Sequence, residues 1–158
     1  MKFIANSIEE HILKRTLFFI ILVAVLAGCT KTEKQPPSEI ILSQELDALT
    51  RWSHGDPWGY IDLAAPEITY FAEGIDTLIV GYDAFKAVNE PFEGKFNIPT
   101  IKIRNPKIDM HGDIGILTYT LINQDKDGQE TSRWKSTEIY EKRDDGWKLV
   151  HSHWTIVK

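Results

Sequence analysis

The sequence predicts one α+β domain in which helices near the start cover one face of a curved antiparallel sheet. Three observations carry that expectation. Apolar residues recur at helical spacing in Ser38–Ser53 but alternate with period two from Ile98 onward. Asp125-Lys126-Asp127-Gly128 and Asp144-Asp145-Gly146 have the chemistry of tight turns. The length, 158 residues, suits a single core rather than two.

The elements follow in order. Ser38 is positioned to cap a helix to Ser53 whose apolar stripe is Leu42, Leu46, Leu49 and Trp52 or Ser53. His54-Gly55 ends it. Asp56-Pro57 opens a second helix to about Ala65, where Pro66 stops it. Ile68–Ala72 and Thr77–Val80 read as short strands about the Gly74 turn, and a third helix runs from Tyr82 to about Glu90 before Pro91. Ile101, Ile103, Ile108 and Met110, then Ile114–Asn123, then the two strands of Thr137–Thr155, make a four-stranded antiparallel meander.

The formal charge is −5, and the basic residues are scattered along the chain. A nucleic-acid partner is therefore excluded, because phosphate binding needs a concentrated positive patch. The single cysteine excludes an intramolecular disulfide.

Lys14 and Arg15 precede an apolar run, Leu17–Ala27, that ends in Leu26-Ala27-Gly28-Cys29. At ~1.5 Å per residue this run is too short for a ~30 Å hydrocarbon core, and its layout is that of an export signal. The last four residues resemble the bacterial lipoprotein cleavage site. That resemblance implies a signal peptide over 1–28, lipid on Cys29, a polar tether over 29–37 and the domain over 38–158. Thr30, where an inner-membrane retention aspartate would stand, favours the outer membrane, facing the periplasm. The plainer alternative is an ordinary signal with an incidental buried cysteine.

His54-Gly55-Asp56, Tyr82-Asp83-Ala84-Phe85, Asn105-Pro106 and the ending Thr137–Thr155 resemble the SnoaL-like, nuclear-transport-factor-2-like superfamily. The nearest flavour is the association domain of calcium/calmodulin-dependent kinase and its stand-alone bacterial relatives. The resemblance covers about Ser38 to Lys158. It implies a cone, a bent sheet around about three helices with a pocket at the open end, and pairing into homodimers. It predicts shape well and reaction poorly, because the superfamily includes isomerases, cyclases, dehydratases and non-catalytic binding domains.

The kinase domain's pocket arginines match Glu138, Trp154 and a position near Thr120, so all three are replaced here. Strand alternation puts Trp134, Ser136, Glu138 and Tyr140 on one face. A pocket lined by Trp134, Thr120, Tyr140, Ser152, Trp154 and Glu138, with Trp58, Tyr60 and Tyr70 at its mouth or floor, suits a small, largely apolar ligand, neutral or cationic. An enclosed Glu138 with Tyr60 or Tyr140 as hydrogen-bond donor is the arrangement of a proton-transfer enzyme, the competing reading. A dimerisation module with a vestigial pocket is the third. His151 and His153 project to one face and are assigned to packing or a dimer interface rather than metal. Trp147 is assigned to structure, and no cofactor is expected.

Overall fold

The computed structural model describes residues 35–158, so the expected export signal, Cys29 and most of the expected tether lie outside the described residues. Helix α1, Pro37–Ser53, begins with proline in its first turn, where the missing amide costs no bond; Ser38 makes no capping bond. Its buried stripe is Ile41, Glu45, Ala48, Leu49 and Ser53, rotated from the expected leucine stripe, and Leu46 is exposed. Ile41 decides the rotation. A Cβ added to Gly115 would collide with Ile41 Cδ1, so the bare backbone of the sheet admits the helix.

The second helix is shorter than the sequence predicts. Asp56 Oδ1 does accept from the Trp58 amide at 2.9 Å, but helix α2 is a single turn, Trp58–Ile61. Strand β1, Ala64–Phe71, takes over the rest and contains Pro66. The ring is tolerated because β1 pairs irregularly with its neighbour between Ala64 and Thr69. Strand β2 is only Ile79–Val80; helix α3, Tyr82–Asn89, is followed by a 3-10 turn at Glu90–Phe92.

The meander forms as expected: β3 Thr100–His111, β4 Ile114–Gln124, β5 Glu130–Arg143 and β6 Gly146–Ile156. The sheet order is β2-β1-β6-β5-β4-β3, with β1 parallel to β6, a pairing the antiparallel expectation did not include. Asn105-Pro106 does not enter the meander but interrupts β3. Asn105 adopts φ 53 within a bulge between Arg104 and Lys107. The extra residue switches parity: Ile103 opposes Leu121 before it and Ile108 opposes Leu117 after it, so both isoleucines pair with residues of the inner face.

That inner face carries Leu117, Tyr119 and Leu121 on β4 opposite Glu138, Ser136 and Trp134 on β5. On β6, Ser152 and Trp154 oppose Glu138 and Ser136. Ile41, Leu49, Ile61, Ile68, Leu117 and Leu149 fill the space between helices and sheet. Trp147 belongs to the same core, as assigned. The result is a mixed α+β cone with helices inside a curled six-stranded sheet.

Candidate functional site

A cavity of about 680 Å³ opens between the sheet, α1 and α3. Aromatic rings build its wall. Trp52 lies 5.2 Å from Phe96 and 5.6 Å from Phe92 between ring centroids on one side; Tyr70 and Phe85 meet edge to face at 5.2 Å on another. Trp134 and Trp154, from neighbouring strands, close the sheet side. Glu73, Ile75, Phe92 and Thr131 are exposed and form the rim, whereas Leu49, Tyr60, Leu121 and Ser152 are buried at the floor.

Of the residues expected to line it, Tyr60, Tyr70, Trp134, Ser152 and Trp154 do so. Thr120 does not. It lies between Tyr119 and Leu121 on β4 and pairs with exposed Lys135, so alternation turns it to the outer face. Trp58 is also outside the cavity, half-buried, with Lys86 Nζ 5.2 Å from its ring centroid, and neither Glu138 nor Tyr140 is among the lining residues.

Glu138 is fully buried directly behind Ser152 and Trp154. Its Oε1 accepts from Ser136 at 2.6 Å and from Ser152 at 3.2 Å; its Oε2 is buried without a hydrogen-bond partner. Burial holds this carboxyl well above the usual carboxylate range, Glu45 pushes it the same way, and Ser136, Ser152 and Trp154 oppose. Burial first, and then the charge that Glu138 carries at the high pH where a phenol titrates, push Tyr70 up to about 12.

The expected hydroxyl partners of Glu138 are committed elsewhere. Tyr60 donates to Glu45 Oε1 at 2.7 Å and Tyr140 to Glu45 Oε2 at 2.5 Å, and the Tyr119 hydroxyl also donates to Oε1. Glu45 is thus a second fully buried carboxyl, on α1, gripped by three phenols from α2, β4 and β5. Burial holds its pKa above the usual carboxylate range, and the three donors lessen that rise without cancelling it. The donors stabilise charge on Glu45, while an ionised Oε2 on Glu138 has none. A buried anion without donors costs more than a neutral hydroxyl in the same place, so the arrangement favours charge on Glu45 and a proton on Glu138.

Glu45 and Tyr119 were both missed from the sequence, as were Asn123 and the Trp52–Phe92–Phe96 wall. Tyr119 was findable, because it alternates with Leu117 and Leu121. Glu45 carried no signal: a glutamate on an amphipathic helix reads as solvent-facing.

His151 and His153 face away from the cavity. His151 Nδ1 lies 2.8 Å from Thr69 Oγ1, His153 Nε2 lies 3.0 Å from Thr155 Oγ1, and Phe71 packs near both rings. Among the described residues, no cluster of three or more His, Cys, Asp or Glu side chains could hold a metal.

The model of the SnoaL-like domain matches residues 46–157. The chain belongs to the SnoaL-like domain family. It is 30% identical over 132 residues to the calcium/calmodulin-dependent protein kinase type II alpha chain of Drosophila melanogaster, covering 79% of this chain and 24% of that one. The SnoaL-like chain thus spans about a quarter of that relative's length.

Among solved structures, a Parabacteroides distasonis protein provisionally named a ketosteroid isomerase is similar at TM-score 0.70 and 25% identity, over 82% of this chain and 94% of its own. The S. rosetta CaMKII hub is similar at 0.61 and 24%, over 75% and 95%. That likeness shows the shared fold.

Proposed function

We propose that this SnoaL-like domain binds a small, largely apolar ligand in the cavity, as a homodimer tethered to the cell envelope through lipid on Cys29. One observation carries the ligand reading: an aromatic-walled cavity of about 680 Å³, large enough for a small organic molecule and furnished with few polar groups. Pairing of two copies is supported by the likeness to the S. rosetta hub and the C. elegans association domain. Anchoring rests on Leu26-Ala27-Gly28-Cys29, and the outer membrane facing the periplasm on Thr30.

Native mass spectrometry of protein from its own host tests ligand and pairing together. A retained mass of a few hundred daltons on a dimer is the expected result. Ligand-free protein that also binds no hydrophobic fluorescent probe overturns the binding reading. Membrane fractionation tests the anchor: the parent pellets with membranes and Cys29→Ser shifts to the soluble fraction.

A second reading is a proton-transfer enzyme, favoured by the perturbed carboxyl of Glu138 beside the cavity. Protonated at rest, Glu138 acts there as an acid or hydrogen-bond donor rather than the base that its isolated sequence context implies. A retained ligand that is chemically altered by the parent but not by Glu138→Gln supports this reading; identical recovery from both removes it.

A further inference from the structure

We propose that the cavity selects a cationic amine carried on an apolar frame. This rests on the ligand-binding reading above and narrows its chemical class. Three features of the cavity converge on it.

The first is the wall. Trp52, Trp134 and Trp154 all line the cavity, and the negative face of an aromatic ring attracts a desolvated ammonium. The second is charge. No lysine, arginine or histidine is among the residues lining the cavity, while Glu73 stands at its rim and Glu45 lies one hydrogen bond behind the floor residue Tyr60. The Tyr60 hydroxyl donates to Glu45, which leaves its oxygen lone pairs to accept from a ligand N–H.

The third is the unmet acceptors. Asn123 lines the cavity and gives its amide N–H to Ser132 at 2.9 Å, but its Oδ1 is buried without a partner. Glu138 Oε2, beside Ser152, is likewise unpartnered and becomes a second acceptor once its proton leaves. An anionic ligand would meet the Glu73 carboxyl and the bare Asn123 Oδ1 with no lining cation to pair with. A neutral ligand would leave the field of Glu45 unused.

The groups facing Glu138 are Glu45 from α1, Tyr60 from α2, Tyr70 from β1, Tyr119 from β4, Ser152 and Trp154 from β6, and Ser136 and Tyr140 on its own strand. None is cationic. An ammonium in the cavity therefore supplies the positive charge that this carboxyl lacks, and binding expels the proton from Glu138 to the buffer.

The test uses three probes with one apolar frame: 4-phenylbutylamine, 4-phenylbutanol and 4-phenylbutyrate, titrated into the full chain by calorimetry. The expected order is amine, then alcohol at about tenfold weaker, then carboxylate. Amine binding should release protons, seen as a heat that varies with the buffer's ionisation enthalpy, and should weaken as pH falls; alcohol binding should do neither. Glu138→Gln should abolish the proton release. Because that site is buried, Glu73→Gln at the exposed rim is the companion variant, expected to cut the amine's advantage a few-fold. Equal binding of all three probes, or preference for the carboxylate, overturns the proposal and leaves the apolar-ligand reading standing. Failure of all three to bind overturns both.

Discussion

Glu45 and Glu138 are both wholly inaccessible to solvent, yet their surroundings ask opposite things of them. Glu45 receives three phenolic hydroxyls, two on one oxygen and one on the other. Glu138 receives two serine hydroxyls on a single oxygen and leaves the second bare. The first is built as an anion site that ties α1 to the sheet; the second is built as a neutral acid next to the cavity. Burial is common to both, so the number and placement of donors separate them, and only the second has spare capacity to respond to a ligand.

Replacing each carboxyl in turn should separate the two sites most widely. Glu45→Leu keeps the volume but strands three buried hydroxyls, each worth about 1–3 kcal/mol when orphaned, so a loss of roughly 4 kcal/mol in urea denaturation is expected. Glu138→Gln retains the acceptor for Ser136 and Ser152 and puts an amide where the protonated oxygen stood, so it should cost less than about 1 kcal/mol at neutral pH. Equal losses would mean that Glu138 is also an anion, and the distinction would fall.

A smaller effect comes from pH. The folded-state pKa of Glu138 is raised well above 4.5. Its proton is held more tightly in the folded chain, so this stabilisation is complete below the unfolded value and disappears as pH rises toward the folded value. Glu138→Gln removes that dependence. Denaturation midpoints at about pH 5 and about pH 8 should therefore show the variant gaining on the parent at the higher pH. A gap that is constant, or that widens in the parent's favour, would place the charge on Glu138.

The two carboxyls also differ in how visible they were in the sequence. Glu138 could be placed because a strand's period of two sets it on the face of Trp134 and Tyr140, and the turn at Asp144–Gly146 fixes the partner strand. Glu45 could not, because its burial depends on three tyrosines from distant elements and on Gly115 letting α1 sit close. Leu42 and Leu46 offered a more apolar stripe, and local periodicity has no access to which stripe the sheet can receive. Thr120 was misplaced although its own strand gave the answer: Leu117, Tyr119 and Leu121 define the inner parity, while Ile116 and Ile122 blur it on the other face. The second helix was overextended because its start signal at Asp56-Pro57 is sound, but the pull of β6 on Ala64–Phe71 is a long-range effect. Parallel pairing of β1 with β6 was invisible for the same reason.

The finest test removes one donor from each carboxyl. A hydrogen bond to a charged acceptor contributes about 1.5–3 kcal/mol and one to a neutral acceptor about 0.5–1.5 kcal/mol. Tyr140→Phe deletes the 2.5 Å bond to Glu45 Oε2 while keeping the ring that fills the core. Ser136→Ala deletes the 2.6 Å bond to Glu138 Oε1 while leaving Ser152 in place. Both changes remove a single hydroxyl from a buried site, and neither opens a cavity larger than that oxygen. The difference in denaturation midpoint between them thus reports the charge state of the acceptor rather than packing. Tyr140→Phe should be the costlier by about 1 kcal/mol. Equal costs would indicate that Glu45 shares the proton, with its three phenols distributing it, and the anion site would have to be redrawn as a four-member hydrogen-bond network.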